Sequence, residues 1–155
     1  LVLHDVVENS LVLLNEQLRV NNIQVIKQFA SNIPYIVGNA QQLEQVFINL
    51  VTNAIDSMDE KAEEQDSMAE KKLSIKTYVE EGWVIAEVSD TGIGMTDEVK
   101  RKIFEPFFTT KETGKGTGLG TSISFGIIKD YKGTIDIISE YGKGARFIIK
   151  FPVIG

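Results

Sequence analysis

The segment from Gln41 to Met58 is the feature that most constrains how this 155-residue chain can fold. Its apolar residues recur at three- and four-residue steps, the spacing of one face of an α-helix. They are Leu43, Val46, Phe47, Leu50, Val51, Ala54, Ile55 and Met58. A long helix with one continuous apolar face has to cover another layer of structure. The sequence therefore predicts a core-facing helix in a layered domain.

Shorter patterns on both sides of this helix predict the other elements. They are a helix over 3–20, a strand over 23–29, an extended piece over 34–37, a hairpin over 73–90, a helix over 119–131 and a second hairpin over 134–151. Mostly antiparallel strands beside about three helices indicate an α+β fold, a two-layer α/β sandwich. Residues 1–155 are expected to form a single domain. The highly charged residues 59–72 are expected to be a solvated helix extension or a charged linker.

Charge and composition exclude several classes of function. The net charge of −6 argues against nucleic acid and anionic membranes as partners. The absence of cysteine excludes disulfides, thiolate metal sites and a thiol nucleophile. No apolar run approaches the roughly 18 residues that a membrane span needs, and the first residues lack the basic start of a signal peptide. We therefore expect a soluble protein without direct membrane contact.

Glycines concentrate in one part of this acidic chain. Six of the 13 glycines lie within residues 92–120, a segment that contains five basic and four acidic residues. The alternate glycines of GKGTGLG (114–120) match neither the dinucleotide-binding fingerprint nor a P-loop. Glycines at alternate positions let backbone N–H groups face a polyphosphate, and a helix N-terminus follows them. The sequence thus predicts an anion near Gly118, Leu119 and Gly120.

Two further elements carry polar side chains that suit a nucleotide and its metal. Asp90 ends a predicted strand in DTGIGM, where its carboxylate needs a donor. That donor is either an exocyclic amine such as that of adenine or, in an Asx-turn, the amide of Gly92 or Ile93. Asn49 and Asn53 lie one turn apart on the long helix, and their amides either help to bind Mg²⁺ or face solvent.

Four segments together resemble the N, G1, F and G2 boxes of the catalytic ATP-binding domain of sensor histidine kinases. They are QLEQVFINLVTNAIDSM, DTGIGM, IFEPFFTTK and GKGTGLGTSIS, in that order. The wider group is similar to the gyrase, heat-shock-protein-90 and MutL ATPases, and the resemblance implies their Bergerat-type ATP-binding sandwich. It covers nearly the whole chain.

The resemblance implies a role for individual residues. Asn53 is expected to bind Mg²⁺ with Asn49 as its companion, and Asp90 to recognise adenine in a pocket shaped by Gly92 and Gly94. A flexible ATP lid is expected over about 96–116. The residues expected to contact the phosphates are Gly116, Thr117, Gly118, Leu119, Gly120 and Lys111, with Lys115 as a second candidate cation. Phe104, Phe107 and Phe108 are expected to anchor the lid, to meet a partner domain or to pack in the core.

The resemblance also implies the reaction and the partners. Related ATPases that hydrolyse ATP have a glutamate where this chain has Asn49, and an amide cannot take a proton from water. We therefore expect ATP to phosphorylate a histidine on a separate dimerisation and phosphoacceptor domain of the same protein. A response-regulator receiver domain would receive the phosphoryl group later. The isolated domain is expected to be monomeric, its parent homodimeric and its location cytoplasmic.

Other interpretations and departures stay open at this stage. A serine-directed kinase of the same fold and a non-catalytic nucleotide-dependent switch are the alternative functions. His4, the single histidine, lacks the residues of a phosphoacceptor box and is interpreted as a surface or capping residue. Asp56, Thr121 and Ala145 depart from the residues common in the family. They stand, respectively, where a cation, a leucine and a hydroxyl residue that supports the adenine carboxylate are frequent.

Overall fold

A computed structural model describes residues 1–65, 68–105 and 119–154, with Leu119 described only as part of its helix. The described helices are α1 (Leu3–Leu13), α2 (Asn15–Val20), α3 (Ala40–Glu64), α4 (Asp97–Lys102) and α5 (Leu119–Asp130). The strands are β1 (Gln24–Phe29), β2 (Lys72–Glu80), β3 (Trp83–Asp90), β4 (Thr134–Ser139) and β5 (Ala145–Pro152).

The five strands form one mixed sheet in the order β1-β2-β3-β5-β4. Strand β1 runs parallel to β2, and the other neighbours are antiparallel. The long helix α3 packs between α1 and α5 on one face of this sheet. The predicted α+β sandwich with a mostly antiparallel sheet is therefore confirmed.

The periodic apolar face of α3 supplies the centre of the core. Leu43, Val46, Phe47 and Val51 are fully buried there, opposite sheet residues such as Ile149. At the N-terminus of α3, the side chain of Asn39 caps the helix by accepting a hydrogen bond from the amide of Gln42 at 3.0 Å. The cap and the buried face together place α3 at a defined height and rotation over the sheet.

Two predicted elements differ in the structure. The helix expected over 3–20 is divided at Leu14, one turn after Ser10, whose hydroxyl donates to the carbonyls of Val6 and Glu44. Such bonds back to the preceding turn favour a bend in a helix. The extended piece at 34–37 forms only an isolated bridge, from Ile36 to Val153.

The charged segment follows the helical alternative over its first half. Residues 59–64 continue α3, and Lys72 already begins β2. Lys71 and Asp59 form an ion pair of 2.7 Å between the connection and the helix. The segment expected over 59–72 is thus a solvated end of α3 followed by a short connection.

His4, expected to be a surface or capping residue, is half-buried. It lies within α1, where its Nε2 is 2.7 Å from the buried Thr77 hydroxyl and its ring stacks on Phe29 with 4.6 Å between centroids. Burial lowers the pKa of His4. Its contacts attach α1 to β1 and β2.

Candidate functional site

The Asp90 carboxylate lies where β3 ends, on the face of the sheet that the helices cover. Asp90 pairs with Leu73 of β2 and Ala145 of β5. Its Oδ1 accepts a hydrogen bond of 2.8 Å from the amide of Gly92. This bond is the Asx-turn that the sequence allowed, and it leaves the carboxylate with further lone pairs that can accept from a ligand.

The environment of Asp90 shifts its protonation equilibrium. Burial raises the pKa of Asp90 to about 6, against the opposing effect of the Gly92 and Ala145 amides and the charge of Lys61. A raised pKa of this kind is frequent among the carboxyl groups of binding and catalytic sites. Ala145, one of the departures noted in the sequence, contributes through its backbone amide.

The loop that follows Asp90 is pressed against α3. The Ile93 amide donates to both the carbonyl and the hydroxyl of Ser57, each at 3.0 Å. A Cβ on Gly92 would lie 2.2 Å from Ser57 Oγ and 2.6 Å from its carbonyl carbon. Only glycine therefore permits this approach, and Ser57 sets the height of the Asp90 loop over the helix.

The other side of the loop rests on the turn between β4 and β5. Ser139 Oγ accepts from the Met95 amide at 2.8 Å and donates to the Gly144 carbonyl at 2.7 Å. Gly94 has φ +73°, and a Cβ there would lie 2.3 Å from the Glu140 carbonyl oxygen. The DTGIGM segment is thus held between α3 and the β4–β5 turn.

Two asparagines of α3 make contact with the first turns of α5. Asn49 Nδ2 donates to the Gly120 carbonyl at 3.0 Å and to Ser124 Oγ at 3.1 Å. One turn further along α3, Asn53 Nδ2 donates to Thr121 Oγ1 at 3.2 Å. The structure therefore brings Asn49, Asn53 and Gly120 together, and Thr121, a departure in the sequence, serves as a partner of Asn53.

These contacts arrange the site along one flank of α3. Gln45, Asn49, Asn53 and Ser57 follow one another at four-residue steps, so they lie on the same side of the helix. With a rise of about 1.5 Å per residue, Asn49 and Ser57 are about 12 Å apart along the axis. One end of this polar flank faces α5 and the other holds the Asp90 loop.

Part of the predicted site lies outside the described residues. This applies to Lys111, Lys115, Gly116, Thr117, Gly118, Phe107 and Phe108, to the side chain of Leu119, and to the predicted lid beyond Glu105. The described start of the predicted lid contains α4, whose Lys100 donates to the Ser139 carbonyl at 3.0 Å. Phe104 stacks on Phe125 of α5 with 5.0 Å between centroids, so it packs against the body of the domain.

Sequence reasoning missed two residues of this site, Ser57 and Ser139. Each acts through a hydroxyl that meets a backbone group far away in sequence. The four-residue spacing from Asn49 through Asn53 was a signal that could have identified Ser57. No comparable pattern marked Ser139.

Comparison with known proteins identifies the architecture around this site. Residues 38–154, which include every described residue of the site, match the family described as histidine kinase-, DNA gyrase B-, and HSP90-like ATPase. The chain belongs to this family. The match confirms the ATP-binding domain that the four sequence segments predicted.

Among the curated relatives of this chain are bacterial sensor and sporulation kinases. The chain is 47% identical over 117 residues to sensor kinase CckA of Brucella abortus, covering 72% of this chain and 12% of that protein. It is 37% identical over 148 residues to sporulation kinase E of Bacillus subtilis, covering 96% of this chain and 19% of that protein. The chain thus spans less than a fifth of the length of these relatives.

Two structural neighbours show the same fold. The catalytic domain of histidine kinase ThkA superposes with a TM-score of 0.79 at 31% identity, covering 97% of this chain and 91% of that one. Full-length ShkA in complex with AMPPNP superposes with a TM-score of 0.81 at 22% identity, covering all of this chain and 31% of that one. None of the helices within 1–65, 68–105 and 119–154 combines the length and apolar character needed to cross a membrane.

Proposed function

We propose that this domain binds Mg-ATP and presents the γ-phosphate to a histidine of a separate dimerisation and phosphoacceptor domain, within two-component signal transduction. The observation that carries the proposal is the polar flank of α3. It joins the Asp90 loop, through Ser57, to the N-terminus of α5, through Asn49 and Asn53. One rigid helix therefore sets the distance between a carboxylate that suits adenine and a helix end that suits phosphate.

The residues present fit a nucleotide with its magnesium ion. The partly buried Asp90 carboxylate retains lone pairs after its bond to the Gly92 amide and can accept from an exocyclic amine. The backbone N–H groups in the first turn of α5 have no preceding helical turn to donate to, so they can donate to a phosphate. Neutral amides such as that of Asn53 suit Mg²⁺, which retains waters and phosphate oxygens as its other ligands.

We assign the roles as follows. Asp90 recognises adenine in a pocket shaped by Gly92 and Gly94, and Asn53 binds the metal. Ligation by Asn49, and phosphate contacts from Lys111 and from residues 116–120, stay predictions from the sequence. When bound, Mg²⁺ would neutralise charge on the phosphates. The protein contributes orientation of the nucleotide and a helix end directed at its phosphates.

Transfer to a protein acceptor suits this site better than hydrolysis. Asn49 occupies the position of the glutamate in the hydrolysing relatives, and its amide makes three hydrogen bonds within the domain. An amide is not basic enough to deprotonate a water molecule, so Asn49 cannot act as that glutamate does. The parent protein would be a homodimer that acts in the cytoplasm and passes its phosphoryl group to a response-regulator receiver domain. The 155-residue domain by itself would be a monomer.

The reaction is tested by supplying an acceptor. The domain is mixed with a phosphoacceptor helical domain from a related sensor kinase and with γ-labelled ATP, with ATP alone as the control. We expect an acid-labile, base-stable phosphohistidine on the acceptor and slow phosphate release without it. An acid-stable phosphoserine would favour the serine-directed kinase, and tight nucleotide binding without transfer to acceptors of several relatives would favour the switch.

The site is tested by nucleotide binding in the same chain. Asn53→Ala is expected to remove most of the gain in affinity that Mg²⁺ provides, and Asp90→Asn to weaken binding of adenine nucleotides. The matched controls are Asn9→Ala on the exposed face of α1 and Asp136→Asn on the exposed side of β4. Unchanged affinities in both site variants would refute the assignment.

A further inference from the structure

The amide of Asn49 is engaged by the protein itself, and this separates its role from that of Asn53. We propose that Asn49 is a positioning residue, a clamp that holds the first turn of α5 against α3 and thereby sets where the phosphates bind. The inference rests on the proposed nucleotide site. It replaces the metal ligation by Asn49 that the sequence predicts.

The orientation of the Asn49 amide follows from its partners. The Gly120 carbonyl can only accept a hydrogen bond, so the atom 3.0 Å from it has to be the amide nitrogen. The oxygen is then at the opposite end of the amide, where it accepts from Gln45 Nε2 at 2.8 Å. A metal ion would have to share this oxygen with Gln45.

The α5 side of the clamp is closely packed. The Ser124 side chain is completely buried and lies 3.1 Å from the same Asn49 nitrogen. A Cβ on Gly120 would stand at an ordinary van der Waals distance, 3.5 Å, from Asn49 Cγ. One amide group thus contacts two successive turns of α5, and it leaves the helix little freedom to move along α3.

The bond between Asn53 and Thr121 does not impose an orientation in this way. The Asn53 amide lies 3.2 Å from Thr121 Oγ1, and a hydroxyl can either donate or accept. This bond is compatible with either end of the amide, so by itself it does not oppose an amide oxygen directed to a metal. The two asparagines, one turn apart, are thus suited to different tasks.

The two roles predict different responses to Mg²⁺. The dissociation constant of a non-hydrolysable ATP analogue is measured by calorimetry, once with Mg²⁺ and once with EDTA. In Asn49→Asp, an acceptor replaces the donor that faces the Gly120 carbonyl. We expect affinity to fall about 10-fold or more in both conditions, and the added negative charge to make the loss with EDTA at least as large as the loss with Mg²⁺. A loss confined to the Mg²⁺ condition, or full affinity, would overturn the proposal.

A second variant leaves Asn49 in place. Ser124→Ala removes one acceptor of the clamp and touches no proposed ligand of the nucleotide. We expect about 3-fold weaker binding with and without Mg²⁺, together with faster hydrogen exchange of amides in the first turns of α5. Unchanged exchange and unchanged affinity in this variant would contradict the clamp even if Asn49→Asp fails to fold.

Asn53→Ala separates this inference from the function on which it rests. If Asn53 binds the metal, Asn53→Ala lowers the ratio of the dissociation constant in EDTA to that in Mg²⁺, because less affinity is gained from the metal. Asn49→Asp does not lower this ratio. If Asn53→Ala leaves that ratio unchanged, the metal assignment fails, and a parallel loss in Asn49→Asp still supports the clamp. If the unsubstituted domain binds no adenine nucleotide in either condition, the proposed function fails, and with it the role of the clamp in phosphate binding.

Discussion

Replacing Gly92 by alanine tests whether the Asp90 loop depends on close contact with α3. The added methyl group would lie 2.2 Å from Ser57 Oγ, 2.7 Å from Ser57 Cβ and 2.6 Å from the Ser57 carbonyl carbon. The hydroxyl can rotate away, but the carbonyl carbon belongs to the backbone of a buried helix. The loop therefore has to move away from α3, and its bonds from Ile93 to Ser57 have to lengthen.

The cost follows from overpacking together with weakened hydrogen bonds. Inserting one methyl group into a close-packed contact costs about 1–3 kcal/mol, so we expect Gly92→Ala to lower the free energy of unfolding by about 2 kcal/mol. Nucleotide affinity should fall as well, because the Gly92 amide holds the Asp90 carboxylate. Urea denaturation with linear extrapolation measures the first effect and calorimetric titration the second.

Two companion variants sharpen this test. Gly126→Ala adds a methyl group to exposed α5 with no atom within 4 Å, so it should stabilise the domain by up to about 1 kcal/mol. Ser57→Gly removes the two side-chain contacts but not the backbone one, so Gly92→Ala should cost less in the Ser57→Gly background than in the unsubstituted domain, but should still cost stability. If Gly92→Ala unfolds within about 0.5 kcal/mol of the parent and binds nucleotide equally well, the argument from close contact is wrong.

Four further predictions concern three residues, Asp90, Ser139 and Asn39. Protonation removes the acceptor that Asp90 offers, so affinity for adenine nucleotides should fall as the pH is lowered through about 6, and titrations of Asp90→Asn should be flat there. Because the folded-state pKa is raised, burial of this charge destabilises the fold above pH 6. As the pH is lowered from 6 to 4, the free energy of unfolding of the unsubstituted domain should therefore rise by up to about 3 kcal/mol relative to that of Asp90→Asn. Ser139→Ala removes the bonds to Met95 and Gly144 and should cost about 1–2 kcal/mol by urea denaturation, with faster hydrogen exchange in the DTGIGM loop; unchanged exchange would contradict its role. Asn39→Ala should lower stability by about 1 kcal/mol through loss of the α3 cap, and equal stability would show that the cap is dispensable.

Much of the fold was predictable because it depends on local periodicity. The apolar positions from Leu43 to Met58 define one face of a helix whatever lies opposite, and the two hairpins follow from alternation around turn residues. The division of the first helix at Leu14 was not predictable in this way. It accompanies a bond from Ser10 to the carbonyl of Glu44, which only the packed α3 supplies.

The candidate site shows the same division between local pattern and packing. The sequence by itself determined the ATPase family and placed Asn49, Asn53 and Asp90 on defined elements, because spacing along a helix or strand is a local property. Only the tertiary structure decided that the Asn49 amide faces the Gly120 carbonyl, 71 positions away, and that Ser57 supports the Asp90 loop. An amide can turn either end towards its surroundings, so its role depends on which backbone group folding brings opposite it.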